Sequence, residues 1–179
     1  KISTRLMVLI GITSFLMVVI ALMGLRGIEQ TNASLKTVFE DRTVALGQLS
    51  EVHSLLEANR AEVASAVANP EGGKAALEAV QKNLETINKA WADYKATKLT
   101  SEEEQLIRTF EAARDKYLVE VIKPLEAALS SSDADGAKAI LADKFRTLFV
   151  EVRKNINDLD DLQIREAKRE FDAGQDRYS

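Results

Sequence analysis

Residues 141–162 read LADKFRTLFVEVRKNINDLDDL. Leu141, Phe145, Leu148, Val152, Ile156, Leu159 and Leu162 follow one another at intervals of three or four, so one face of a helix is continuously apolar. Lys, Arg, Asn and Asp fill the other face. A helix of this kind gains stability by burying its stripe against further helices, and three more segments of the chain are built the same way. The run is preceded by SSSDADG at 130–136, a helix break in which Asp133 is the expected N-cap.

Upstream of that break, Thr100 with Glu103 or Ser101 with Glu104 forms a capping signature that opens a helix running to Ser130. Pro124 falls inside it and should kink or loosen a turn, because proline removes a backbone donor. Residues 110–117 of this helix, FEAARDKY, place Phe110, Arg114 and Tyr117 on one line with Ile107 and Val121, so an arginine interrupts an apolar stripe. A second helix, at about 74–98, carries Leu77, Val80, Leu84, Ile87, Trp91 and Tyr94 at the same spacing. The first helix of the series ends at the breaker NPEGG (69–73) and carries Leu46, Leu49, His53, Leu56, Arg60, Val63 and Val67. Short connections force neighbours to run antiparallel. The expected fold is all-α, an up-down-up-down four-helix bundle with long first and fourth helices.

Residues 6–25, LMVLIGITSFLMVVIALMGL, contain no charge. About 20 residues at about 1.5 Å each match the roughly 30 Å of a bilayer core. The run is longer than the apolar part of a signal peptide and no A-x-A cleavage site follows, which favours an uncleaved anchor. Lys1 and Arg5 before it and Arg26 after it favour a cytoplasmic N-terminus. Residues 1–27 are therefore expected to be a first transmembrane helix with its cytoplasmic flank, and 28–179 a periplasmic bundle at the bacterial inner membrane. Beyond the anchor, 21 basic residues face 28 acidic ones. Such a surface repels nucleic acid. The sustained seam of the first helix, left in water, calls for a partner, and a second copy of the chain in a parallel dimer is the simplest one. Arg177, Tyr178 and Ser179 contain an amphipathic pair of the membrane-interface type, which points to a second span beyond them.

The chain has no cysteine and one histidine. Thiolate metal sites, thiol nucleophiles and multi-histidine centres are thereby excluded, and no phosphate loop or nucleophile–base pair stands out. No enzymatic activity and no cofactor or metal are expected. His53 reads as an interface or core residue. The two arginines on seam positions are the informative feature: counted in helical turns from the distal tip, Arg60 and Arg114 reach the same height, with Thr86 on the second helix, Thr147 on the fourth and Tyr117 one turn away. Guanidinium groups stay charged, so something negative must face them. Glu57 and Glu111, each three residues before its arginine, are the local choice. An anionic ligand held by Arg60, Arg114, Tyr117, Thr86 and Thr147 is the other, and two cations are best matched by more than one carboxylate, as in malate or citrate.

Residues 1–6, KISTRL, leading into the span, together with 38–46, VFEDRTVAL, and Leu49, resemble bacterial methyl-accepting chemotaxis receptors. The resemblance implies a dimeric periplasmic ligand-binding domain of four helices that binds a small organic anion through bundle arginines, with Arg60 in such a position, and signals across the membrane. A sensor histidine kinase input domain, or a module that recognises a periplasmic solute-binding protein, has the same outline. An apolar patch at the distal loops would favour the latter, and the sequence shows little of one.

Overall fold

The computed structural model describes residues 2–37, 42–69 and 72–176. Val38, Phe39, Glu40 and Asp41 of the receptor-like stretch, Pro70 and Glu71 of the first break, and Arg177, Tyr178 and Ser179 lie outside them. Among the described residues there are seven α-helices and two π-helical turns, with no strand. They are α1 (Ile2–Thr37), α2 (Val44–Ala68), α3 (Gly73–Lys95), α4 (Ser101–Tyr117), α5 (Lys123–Ser130), α6 (Ala134–Ile140) and α7 (Arg146–Asp176). The protein is an all-α bundle in which α2 lies against α3 and α7, and α4 against α7.

Helix α1 stands apart in character. Its most apolar 18 residues, within Met7–Asn32, have a mean hydropathy of 2.6, and the large apolar side chains from Met7 to Ile28 point outward. This is long enough and apolar enough to cross a bilayer.

The caps explain where the other helices start. Thr100 Oγ1 accepts the backbone N–H of Glu103 at 3.2 Å while the Glu103 carboxylate accepts the N–H of Thr100 at 2.6 Å, a reciprocal box that satisfies two donors at the head of α4. Asp133 Oδ1 accepts the N–H of Gly136 at 2.9 Å at the head of α6. Ahead of it Ser132, with φ of 58°, takes the left-handed conformation that reverses the chain.

Pro124 acts one turn earlier than a simple kink would suggest. Lacking an N–H, it cannot serve the carbonyl of Glu120, and Leu118–Ile122 widens into a π turn that links α4 to α5 without a break. A second π turn, Leu141–Phe145, links α6 to α7 and packs against the first.

The core contains Leu49, Val52, Leu56 and Val63 of α2; Val80, Ile87, Trp91 and Tyr94 of α3; Ile107, Phe110 and Tyr117 of α4; and Phe145 with Leu148, Phe149, Val152, Ile156 and Leu159 on the α7 side. The α3 and α7 stripes fall where their spacing puts them. The first stripe does not: Leu49, Leu56, Val63 and Val67 face the core, whereas Leu46, His53 and Arg60 turn to the neighbouring, more exposed side of α2. The reason is that α2 carries two adjacent stripes with the same three-four rhythm, and only one can face inward.

Two ends can be told apart by what they gather. At one, a Cβ on Gly73 would stand 3.6 Å from both the Ala66 carbonyl oxygen and the Leu129 side chain, so the end of α2, the start of α3 and the end of α5 meet. At the other, Arg42, just ahead of α2, reaches the start of α4 and the far part of α7. Its Nη1 donates to Gln163 at 3.3 Å and to Glu103 at 3.5 Å, and its Nε and Nη2 donate to Glu170 at 3.2 and 3.0 Å. Gln163 Nε2 donates to the Tyr94 hydroxyl at 3.1 Å and also to Glu103. Burial opposes the charge of Arg42, but Glu170, Glu103 and Glu166 outweigh it and make the guanidinium more basic than usual.

Candidate functional site

On the side of α2 turned away from α3, Arg60 faces α7. Together with Phe145, Arg146, Phe149, Val150 and Arg153 it lines a groove of about 420 Å³. The spacing of Arg146, Val150 and Arg153 puts all three on one face of α7, one to two turns apart, so two guanidinium groups from α7 and one from α2 converge. Phe145 and Phe149 form the apolar wall. Their rings stack 6.2 Å apart, and the Arg60 guanidinium stands 5.8 Å from the centre of the Phe149 ring.

One carboxylate answers these charges. Glu57 accepts from Arg60 Nε at 2.9 Å and from Arg153 Nη1 at 3.5 Å. Arg146 has no ion pair among the described residues. Three cations against one carboxylate leave the groove positive in a domain that is acidic as a whole. Arg60 is half exposed, so its pair with Glu57 is a weak, exchangeable contact rather than a structural one.

Behind the aromatic wall lies Tyr117, whose ring meets Phe145 at 6.2 Å and Phe149 at 6.0 Å. It is 3% exposed, its hydroxyl has no hydrogen-bond partner among the described residues, and burial pushes its ionisation well above the ordinary phenol range. Arg114, one turn before it, answers the question its sequence position raises. Its side chain is largely buried, Nε and Nη1 are without hydrogen bonds, and the nearest carboxylate is Asp115 at 3.9 Å. Glu111, the expected local partner, instead accepts from the Trp91 indole at 2.9 Å and from Lys95 at 2.7 Å.

The five residues singled out by helical counting are thus placed differently. Arg60 is in the groove, on the outer face of the bundle rather than inside it. Arg114 and Tyr117 lie within, Tyr117 in contact with the groove's wall. Thr86 is exposed on α3 with its hydroxyl donated to the Lys82 carbonyl at 3.2 Å, and Thr147 is exposed on α7 without lining the groove. Arg153 and the pairing of Phe145 with Phe149 were not singled out at all. The signal for Arg153 is its distance of seven residues from Arg146, a repeat that keeps both on one side of a helix.

The Glu111 cluster gives a pH-dependent signature of its own. Burial works against ionisation of Glu111, but hydrogen bonds from Lys95 and Trp91 and the charge of Arg114 outweigh it and hold the carboxyl below its ordinary 4.5. A depressed acid contributes stability above its unfolded value that is lost as pH falls through the folded one. Glu111→Gln is expected to remove part of the acid limb below about pH 4.5 in a plot of melting temperature against pH. An unchanged acid limb counts against this pairing.

A second groove, of about 540 Å³, lies on the same side nearer the Arg42 end and is lined by Leu46, Ser50, His53, Ser54, Asp160 and Ile164. His53 Nδ1 is 3.6 Å from Asp160. Burial raises the acid of Asp160, and His53 partly offsets this. The two grooves follow one line, with Leu46, Ser50, His53, Glu57 and Arg60 on α2 beside Arg146, Val150, Arg153, Asn157, Asp160, Ile164 and Phe171 on α7. All recur at alternate steps of three and four except the last, Ile164 to Phe171, which is two turns. Val150, Ile164 and Phe171 are each about half exposed along it.

The chain is thus a helical bundle beside a membrane-length helix, with a cationic groove between α2 and α7. The chain belongs to the family of Tar ligand binding domain homologues, whose model matches residues 1–167. It is similar to the methyl-accepting chemotaxis protein NahY of Pseudomonas putida, 25% identical over 173 residues that make up 96% of this chain and 32% of that protein. The chain therefore spans about a third of the length of that relative. No solved structure matches it.

Proposed function

We propose that this chemoreceptor sensor domain binds small organic acids with more than one carboxylate, malate and citrate being the type, in the groove of Arg60, Arg146 and Arg153. The observation that carries this reading is the unbalanced charge: three guanidinium groups converge on one carboxylate beside two phenyl rings. Carboxylates of a ligand replace water at the free edges of the arginines through charge-assisted hydrogen bonds, and its carbon skeleton rests on Phe149. Tyr117 carries an unsatisfied hydroxyl behind that wall and completes the site if Phe149 turns aside; Arg114, one turn before it, carries unsatisfied donors of its own.

A second copy of the chain covers the same face. The paired three-four stripes of α2 and α7 expose apolar side chains at a spacing suited to another helix pair, and a homodimer along α2 buries them and closes both grooves. Residues 1–27 anchor the domain with the bundle on the periplasmic side, and α7 carries the signal towards the membrane as a shift of about 1–2 Å. The ligand drives that shift only by binding one arrangement better than the other.

Titration calorimetry of the chain in nanodiscs tests the site. Citrate or malate is expected to bind, and Arg60→Ala and Arg153→Ala each to weaken binding about tenfold or more, the worth of one charge-assisted hydrogen bond. Glu57→Gln is expected to tighten it, because the native carboxylate competes for the same guanidinium groups. Binding that is indifferent to both arginines sinks the assignment.

A further inference from the structure

The second groove on this face differs in chemistry from the arginine groove. Its lining is Leu46, Ser50, His53 and Ser54 of α2 with Asp160 and Ile164 of α7, and no lysine or arginine is among them. Arg42 meets Gln163 whereas Arg60 meets Phe149, so α2 and α7 run in opposite directions. Residues ahead of His53 on α2 therefore stand level with residues beyond Asp160 on α7. Leu46 and Ile164 make an apolar end nearer Arg42, and His53, Ser54 and Asp160 make a polar end nearer Glu57.

The carboxylate at the polar end is poorly answered. His53 Nδ1 stands 3.6 Å from it, beyond hydrogen-bond length, and among the described residues no lysine or arginine pairs with Asp160. Burial disfavours its charge and Asp161 beside it adds repulsion, which His53 offsets only in part. Arg153, two turns back along α7, is about 10 Å away in axial height, close to a Debye length, and is engaged with Glu57. The serine hydroxyls and an imidazole nitrogen add further acceptors. A metal ion would find one carboxylate and one imidazole, too few protein ligands for a site, and no third His, Cys, Asp or Glu joins them among the described residues. An ammonium group has three donors and is satisfied by such a set. We propose that this groove binds a small primary amine in its ammonium form, with the charged head between Asp160 and His53 and a short alkyl chain laid along Leu46 and Ile164. The site adds a second class of ligand to the domain and does not depend on any acid binding at the arginines.

His53 is the only histidine, so a chain carrying isotope-labelled histidine gives one ring signal that reads this groove by nuclear magnetic resonance. The chain in zwitterionic nanodiscs is titrated with n-butylammonium chloride at about pH 8.5, above the range in which histidine changes charge and below that of an alkylammonium group. Saturable movement of the signal is expected, while n-butanol and sodium chloride at the same concentrations leave it in place. Methylammonium is expected to bind roughly tenfold more weakly, because the apolar contact of three methylenes is lost. Asp160→Asn is expected to weaken butylammonium binding about tenfold or more and Ser54→Ala about threefold, the worths of a charge-assisted and a neutral hydrogen bond. Asp160→Glu keeps the charge and is expected to stay within about threefold of the native chain, which separates a lost charge from a lost fold. No saturable movement in the native chain, equal affinity in the native chain and Asp160→Asn, or the same response to butanol overturns the amine site. Binding of citrate or malate at the arginines is measured separately by calorimetry, so either reading can fail without the other.

Discussion

Glu103→Ala is expected to cost about 3–5 kcal/mol of unfolding free energy, the range for removing one partner of a buried ion pair. Glu103 is 1% exposed and serves three structures at once. It closes the capping box on Thr100, it faces Arg42, and it accepts from Gln163 and the Tyr94 hydroxyl. Alanine leaves the guanidinium group with Glu170 alone on its exposed side, strands the amide and the phenol in a dry site, and opens the head of α4. Glu103→Gln keeps one acceptor oxygen and is expected to lose less than half as much. Urea denaturation of the chain in mild micelles, followed by far-ultraviolet circular dichroism, checks both; a loss of under about 1 kcal/mol for the alanine variant, the worth of a cap alone, contradicts the account.

Phe110→Ala is expected to cost about as much by a different route. The ring is fully buried on α4 and lies 4.4 Å, centre to centre, from Trp91, which itself meets Tyr94 at 5.4 Å. Truncation forfeits the transfer of the ring and leaves a cavity in a layer whose neighbours are held by hydrogen bonds, Trp91 to Glu111 and Tyr94 to Gln163. Collapse is therefore restricted, and about 3–5 kcal/mol is the expected loss, or roughly 10 °C in melting temperature for a domain of this size. Trp91 is the only tryptophan and reports the site directly. Its emission is expected to shift to the red as water gains access; an unshifted spectrum together with a small loss would mean that the aromatic layer closes over the gap.

The helical architecture could be read because burial leaves a record at intervals of three and four wherever a helix has one inner face. The stripes of α3 and α7 are of that kind, and the Thr100 box marks the start of α4 through chemistry local to four residues. Helix α2 could not be read so simply, since Leu46, His53 and Arg60 keep the same rhythm as Leu49, Leu56 and Val63 while facing another way. Arg60 and Tyr117, within one turn of each other by counted height, both approach one ring, Phe149. Counting turns could not tell inside from outside, which depends on the rotation of each helix about its axis. Thr86 and Thr147 share the counted height but are exposed and outside the groove lining. Arg42 is far in sequence from Gln163 and Glu170, and meets them only where α2, α4 and α7 are docked. A buried polar cluster of this sort has no periodicity to announce it.

The two π turns have a bearing on how such a domain tolerates changes of length. Each accommodates one residue more than an α-helical turn, and a residue corresponds to about 100° of rotation. In a regular helix an added residue would rotate everything beyond it by that angle, whereas the widened turns at Leu118–Ile122 and Leu141–Phe145 take it up locally. With both turns side by side, the same adjustment is made in both rods at one level. Each end can thus keep its own inward-facing set of side chains although the same two rods run through both.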